Sequence, residues 1–159
     1  MGTRALRIVP AFVVGLGLSL FGIAQGQDHE QRVKLKDLPQ AVQKTVQEQS
    51  QGATIKGFSK EIERGQTYYE VELKVDGHGK DVLIDPSGRV VEIEEEVALD
   101  ALPPDVRAGI LQQAGQGKVL KVESITKDSA ILMYEAVVRK AGKKSEIKVG
   151  LDGKLLPNN

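Results

Sequence analysis

The sequence predicts an α+β protein built as two tandem helix-then-antiparallel-sheet repeats, with the helices packed on one side of the sheet or sheets. Three observations carry that expectation. Landmarks recur at a fixed offset: Leu38-Pro39-Gln40-Ala41-Val42 with Val46 returns as Leu102-Pro103-Pro104-Asp105-Val106 with Ile110, 64 residues later. Tyr69-Glu70-Val71 returns as Tyr134-Glu135-Ala136, and Gly88-Arg89-Val90 as Gly153-Lys154-Leu155, both at an offset of 65. Each set begins with apolar residues at helical spacing and continues with period-two alternation, so a helix precedes strands in each half.

Taken in order, residues 1–26 read as a signal peptide, to be set aside before the fold is considered. Arg4 and Arg7 supply the positive start, Ile8 to Ile23 is nearly uncharged, and Ala24-Gln25-Gly26 places small residues for cleavage after Gly26. An uncleaved anchor is the alternative, although Pro10 and several glycines weaken that stretch as a helix. With no Cys in the chain, a lipoprotein is excluded.

The first repeat is expected over 27–97 and the second over 98–159. Asp37 and Gln40 fit a capping box, Pro39 suits a first turn, and Leu38, Ala41, Val42 and Val46 form one apolar stripe. Leu102, Val106, Ile110 and Leu111 form the second, while Gly52 and the Gly115 to Gly117 stretch end the two helices. The strands follow by alternation. Tyr69, Val71, Leu73 and Val75 point to one face and Tyr68, Glu70, Glu72 and Lys74 to the other. Asp76-Gly77 predicts a hairpin turn, Val82 and Ile84 continue the inner face, Asp85-Pro86-Ser87-Gly88 turns the chain again, and Val91 and Ile93 begin a further strand. In the second half Tyr134, Ala136 and Val138 face inward, with Ile147, Val149 and Leu151 in the next strand. Near 55–62 and 120–126 the alternation is mixed, which leaves open which face of those strands is buried. A unit of about 60 residues is marginal alone. One compact body, with sheets joined or units packed together, is therefore expected.

Composition narrows function. The chain has 159 residues, 22 basic and 22 acidic side chains, two His and no Cys. That balance lacks the basic surplus of a nucleic-acid binder, and the missing Cys remove disulfides, thiolate zinc sites and thiol nucleophiles. Without the first 26 residues the charge is −2. It is divided as −5 over 27–97 and +3 over 98–159, so the halves carry opposite fields.

Leu-Pro-x-x-Val on a helix, a Tyr-Glu-Val strand, a turn, another strand, an Asp-x-x-Gly turn and a closing strand together resemble the PepSY-like, β-lactamase-inhibitory-protein-like repeats of exported bacterial proteins. The resemblance covers about 38–93 and 102–156. It implies an antiparallel sheet with helices on one side and a binding or inhibitory role instead of catalysis. It brings no catalytic residues to this chain, which has neither the Cys nor the aromatic content of the inhibitory protein.

The candidate partner-binding face is the open one: Tyr68, Glu70, Glu72 and Lys74 in the first half, and Met133, Glu135, Val137 and Arg139 in the second. Met133 and Val137 are unusually apolar for a bare solvent face. The acidic run Glu92, Glu94, Glu95 and Glu96 is the alternative site, offering oxygen ligands to a calcium-type cation. In a strand, however, Glu92, Glu94 and Glu96 share a face with no loop to wrap an ion. A solvated strand end is the simpler reading, with mutual repulsion raising the pKa values. His78 between two glycines reads as a hairpin tip, and Asp81 with Asp85 as two strand acids lacking a pocket. Lys140, Lys143 and Lys144 read as a solubilising tip.

The expected function is an exported, periplasmic or secreted, non-catalytic module. It binds or restrains an envelope or secreted protein, a peptidase being one candidate, and takes no cofactor, no nucleic acid and no stable membrane insertion after cleavage. A cation-responsive envelope protein working through 92–96 is the alternative.

Overall fold

The computed structural model describes residues 29–157; the expected signal segment lies outside them. The chain runs β1 (His29–Arg32), α1 (Gln40–Gln49), β2 (Thr54–Glu63), β3 (Gln66–Val75), β4 (His78–Ile84), β5 (Val90–Glu96), α2 (Pro104–Ala114), β6 (Lys118–Lys127), β7 (Ala130–Lys140) and β8 (Lys143–Gly150). Short 3-10 turns at Leu35–Asp37 and Leu99–Ala101 lead into the two helices. Among the described residues no helix is long and apolar enough to cross a membrane.

The architecture corrects the expected one. All eight strands form a single antiparallel sheet in sequence order, β1 to β8, instead of two helix-then-sheet repeats. A strand precedes the first helix, four strands follow it, and only three follow the second. The join is the pairing of β5 with β6, from Ile93 opposite Thr126 to Glu96 opposite Glu123. The physical reason is edge satisfaction: two separate sheets would each leave a row of backbone donors and acceptors at a bare edge, and pairing β5 with β6 removes both.

Tight turns make the meander possible. Arg64-Gly65, Asp76-Gly77, Asp128-Ser129 and Ala141-Gly142 all have positive φ at both positions. Each is a two-residue loop whose twist matches that of its flanking strands.

Both helices lie on one side of the sheet. Leu38, Val42 and Val46 pack on Val71, Leu73, Val82 and Ile84. Leu102, Val106, Ile110 and Ala114 pack on Val122, Tyr134, Ala136, Val138, Ile147 and Val149. The register carries one face across the join, since Leu73 is opposite Lys80, Lys80 opposite Glu95, Glu95 opposite Ser124, and Ser124 opposite Tyr134. The expected stripes need two corrections. Ala41 is exposed and Leu111 is 43% exposed, while Thr45 completes the first helix's inner face. The expected capping box is absent too. Asp37 belongs to the 3-10 turn and its carboxylate accepts from the Lys34 backbone N–H, while α1 starts after Pro39 with no side-chain cap.

Each helix is held against a turn by close backbone approach. The Thr45 hydroxyl donates to the Gly88 carbonyl, and a Cβ at Gly88 would lie 2.7 Å from the Ala41 carbonyl oxygen. On α2, a Cβ at Gly109 would lie 1.9 Å from the Gly153 carbonyl oxygen. The helices thus seal one face, and the other is left to polar side chains.

Candidate functional site

The uncovered face is built by strand alternation. On β3, Val71 and Leu73 are buried under α1, so Glu70 and Glu72 point away from it. Register then sets their neighbours. Ser59 and Leu83 flank Glu70, and Asp81 lies opposite both Glu72 and Glu94. Glu94 is opposite Ile125, which is opposite Met133, and Glu123 is opposite both Glu96 and Glu135. Carboxylates from β3 to β7 therefore share one surface.

Cations answer only some of them. Arg32 pairs with Glu72, and Lys127 with Glu92. Lys121 lies 2.7 Å from Glu123, and Lys148 lies 2.8 Å from Glu135. The remaining acids are held partly neutral by their surroundings. Burial first, then the charge of Glu61, pushes Glu70 up to about 9. Burial also lifts Glu61 to about 7, against the hydrogen bonds from Glu70 and Ser59. Burial, then Glu123 and Glu72, raises Asp81 to about 6. Glu94 is pushed up to about 10 by burial and then by Glu92 and Glu123.

The tightest grouping is Asp81, Glu94 and Glu123, which bring one carboxylate oxygen each to within 4.8 Å of one another. This is an all-oxygen donor set able to hold a hard cation. Among the described residues no other group of three or more acidic, His or Cys side chains comes together in this way.

Of the expected partner-binding residues, Glu70, Glu72 and Tyr68 are half-buried and Lys74 is exposed. The Tyr68 hydroxyl donates to the Gln66 side chain. Met133 and Glu135 are buried, Val137 is half-buried and Arg139 exposed. Met133 is no bare solvent residue: it packs with Ile125 and Leu156 in a small apolar cluster. The acidic run divides. Glu92 is buried against Lys127, Glu94 joins Asp81 and Glu123, Glu96 accepts from the Gly79 backbone N–H, and Glu95 lies on the helix side opposite Lys80. Asp85 is separate from Asp81: it sits in a turn, bonded to Ser87 and Arg89. Asp81 and Glu123 are the acids that sequence reasoning did not place in a site. Alternation marked Asp81 as outward-facing, but nothing local brings Glu123 beside it.

A single meandering sheet of eight strands with two helices on one face and a polar open face defines the class of protein. The chain belongs to the beta-lactamase-inhibitor-like, PepSY-like family, whose sequence profile matches residues 25–92 and 78–156. It is similar in fold to a BLIP-like protein from Bacteroides fragilis, with 24% identity, TM-score 0.56, and 76% of this chain and 84% of that one covered. A protein from Bacteroides eggerthii described as periplasmic has 19% identity and TM-score 0.63, over 76% of this chain and 86% of that one. A DUF2874 family protein from Bacteroides ovatus has 22% identity and TM-score 0.60, over 76% and 85%. No curated protein matches the chain.

Proposed function

We propose that the protein is an exported, periplasmic binding module that holds a protein partner on its open sheet face without catalysing a reaction. The supporting observation is the asymmetry of the sheet. One face is closed by α1 and α2, while the other presents half-buried acids beside the half-buried Tyr68 and Val137, and is covered by no helix among the described residues. Polar residues beside partly exposed apolar ones are the composition of a recognition surface. A partner with a basic surface suits it, because the carboxylates outnumber the cations that answer them.

The test is affinity capture from the native envelope fraction with the exported protein as bait, followed by mass spectrometry. One protein that competes away with excess bait supports the reading and names the partner. Charge reversal by Glu70→Lys should then weaken its capture, and Arg139→Glu should strengthen it, while the circular dichroism spectrum is unchanged. Capture indifferent to both reversals sinks the assignment of this face.

A further inference from the structure

We propose that the outer edge of β2 at Thr54–Gly57, with the groove beside it, is a docking site for an extended acidic segment of a partner protein, which adds there as a further strand. The site lies at the edge of the sheet and is independent of the open-face reading, because it is tested with a peptide on the protein alone.

The backbone offers the edge. β1 covers β2 only from Ser59 to Ile62. The last rung between them is the Val33 N–H donating to the Phe58 carbonyl, after which the chain turns away through the 3-10 turn at Leu35–Asp37. β2 begins earlier, at Thr54, and pairs there with β3 on its other side. Alternation of the ladder, carried through the bulge between Ile55 and Gly57, turns the N–H and C=O of Ile55 outward like the carbonyl of Phe58. Among the described residues no backbone bond continues the ladder past Val33. An incoming strand in line with β1 therefore finds both a donor and an acceptor. The opposite edge of the sheet is closed over part of its length, where the Leu156 N–H donates to the Lys148 carbonyl and the Gly150 N–H to that of Lys154.

The side chains add a groove of about 530 Å³ along the same stretch. Its apolar lining is Val33, Leu35, Ile55 and Phe58. Val33 and Phe58 rest against the core under α1, which fixes the floor, while Leu35 is 42% and Ile55 39% exposed. An occupant would cover apolar surface that the fold leaves bare.

Charge selects that occupant. Arg32, Lys34 and Lys56 also line the groove, and no carboxylate does, although residues 27–97 as a whole carry −5. Arg32 is answered by Glu72, and Asp37 on the adjoining turn accepts from the Lys34 backbone N–H. Among the described residues neither the Lys34 nor the Lys56 ammonium has an ion-pair partner. These lysines attract carboxylates and repel the same lysines of a second copy, so the edge favours an acidic strand over pairing with itself.

The experiment is an amide-resolved NMR titration of the exported protein with the capped pentapeptide Glu-Val-Glu-Val-Glu, and with Lys-Val-Lys-Val-Lys as the control. The acidic peptide should shift the amides of Val33, Lys34 and Ile55 to Phe58 with a Kd of roughly 0.1–1 mM, and the lysine peptide should not. Lys34→Glu combined with Lys56→Glu should weaken binding by about tenfold. Ile55→Pro removes the outward N–H at an edge position, where proline is tolerated, and should abolish binding with the circular dichroism spectrum unchanged. Lys144→Glu, on β8 at the opposite edge, should bind as the parent does. No shifts at these amides up to about 5 mM acidic peptide overturn the proposal. So does equal binding of the lysine peptide, or binding that survives both the double charge reversal and Ile55→Pro. A concentration-dependent dimer in sedimentation of the protein alone, lost in Ile55→Pro, would assign the edge to a second copy and overturn it as well.

Discussion

Glu70→Gln isolates the energetic consequence of placing acids on a half-buried sheet face. Glu70 lies between Ser59 and Leu83 on the neighbouring strands, near Glu61 and Asp81. Its carboxyl is raised from 4.5 to about 9, by burial first and by Glu61 next. A raised acid favours the protonated form in the folded state. Its contribution to stability is complete below pH 4.5 and is lost progressively as the pH climbs toward 9. Each pH unit in that window costs about 1.4 kcal/mol, so between pH 5 and 7 Glu70 should withdraw about 2–3 kcal/mol. Glutamine cannot ionise and keeps a donor toward Glu61, so the variant should not suffer that loss. The assay is urea unfolding followed by circular dichroism in EDTA at half-unit intervals from pH 5 to 8. The stability difference between variant and parent should widen by about 2–3 kcal/mol across pH 5 to 7. Because every other titrating group is common to both proteins, parallel curves would refute the reasoning.

Two further substitutions probe the helix layer. Gly109→Ala improves helix propensity by up to about 1 kcal/mol, yet its Cβ would stand 1.9 Å from the Gly153 carbonyl oxygen, a backbone atom that cannot rotate away. Overpacking should prevail, and urea denaturation should show a net loss of about 1–3 kcal/mol; a stabilised variant contradicts the close approach. Ile110→Ala empties a fully buried position between α2 and the sheet, and should cost about 2–5 kcal/mol in the same assay. A loss below about 1 kcal/mol would mean that α2 does not seal this half of the core.

Much of the fold was legible because helices and strands announce themselves locally. Leu38, Val42 and Val46 recur at helical spacing and are buried; Val71 and Leu73 alternate with Glu70 and Glu72 and face α1. Asp76-Gly77 is a turn for reasons contained in two residues. Ala141-Gly142 and Asp128-Ser129 are equally tight turns, but Ala141 and Ser129 carry no strong preference for positive φ, so the flanking strands impose that conformation on them. In β2 and β6 the alternation is blurred by bulges at Ile55/Gly57, Val119/Lys121 and Ile125/Thr126, which move side chains between faces.

The grouping of Asp81, Glu94 and Glu123 was half legible. Alternation alone puts Glu92, Glu94 and Glu96 on one face, and they share it. The expectation of a solvated strand end failed because β5 is no end: β6 pairs with it and buries Glu92 beside Lys127. Asp81 and Glu123 are 42 residues apart in sequence and meet only because β4 and β6 flank β5.

By itself, then, the sequence determined the helices, most strands, the faces of the regularly alternating strands and the family resemblance, since these depend on periodicity and turn chemistry within a few residues. Only the tertiary structure decided that the strands join into one sheet and that Asp81, Glu94 and Glu123 converge. The reason is that strand pairing across the β5–β6 join is set by which edges are left unsatisfied once both helices have packed, a property of the assembled molecule that no local pattern encodes.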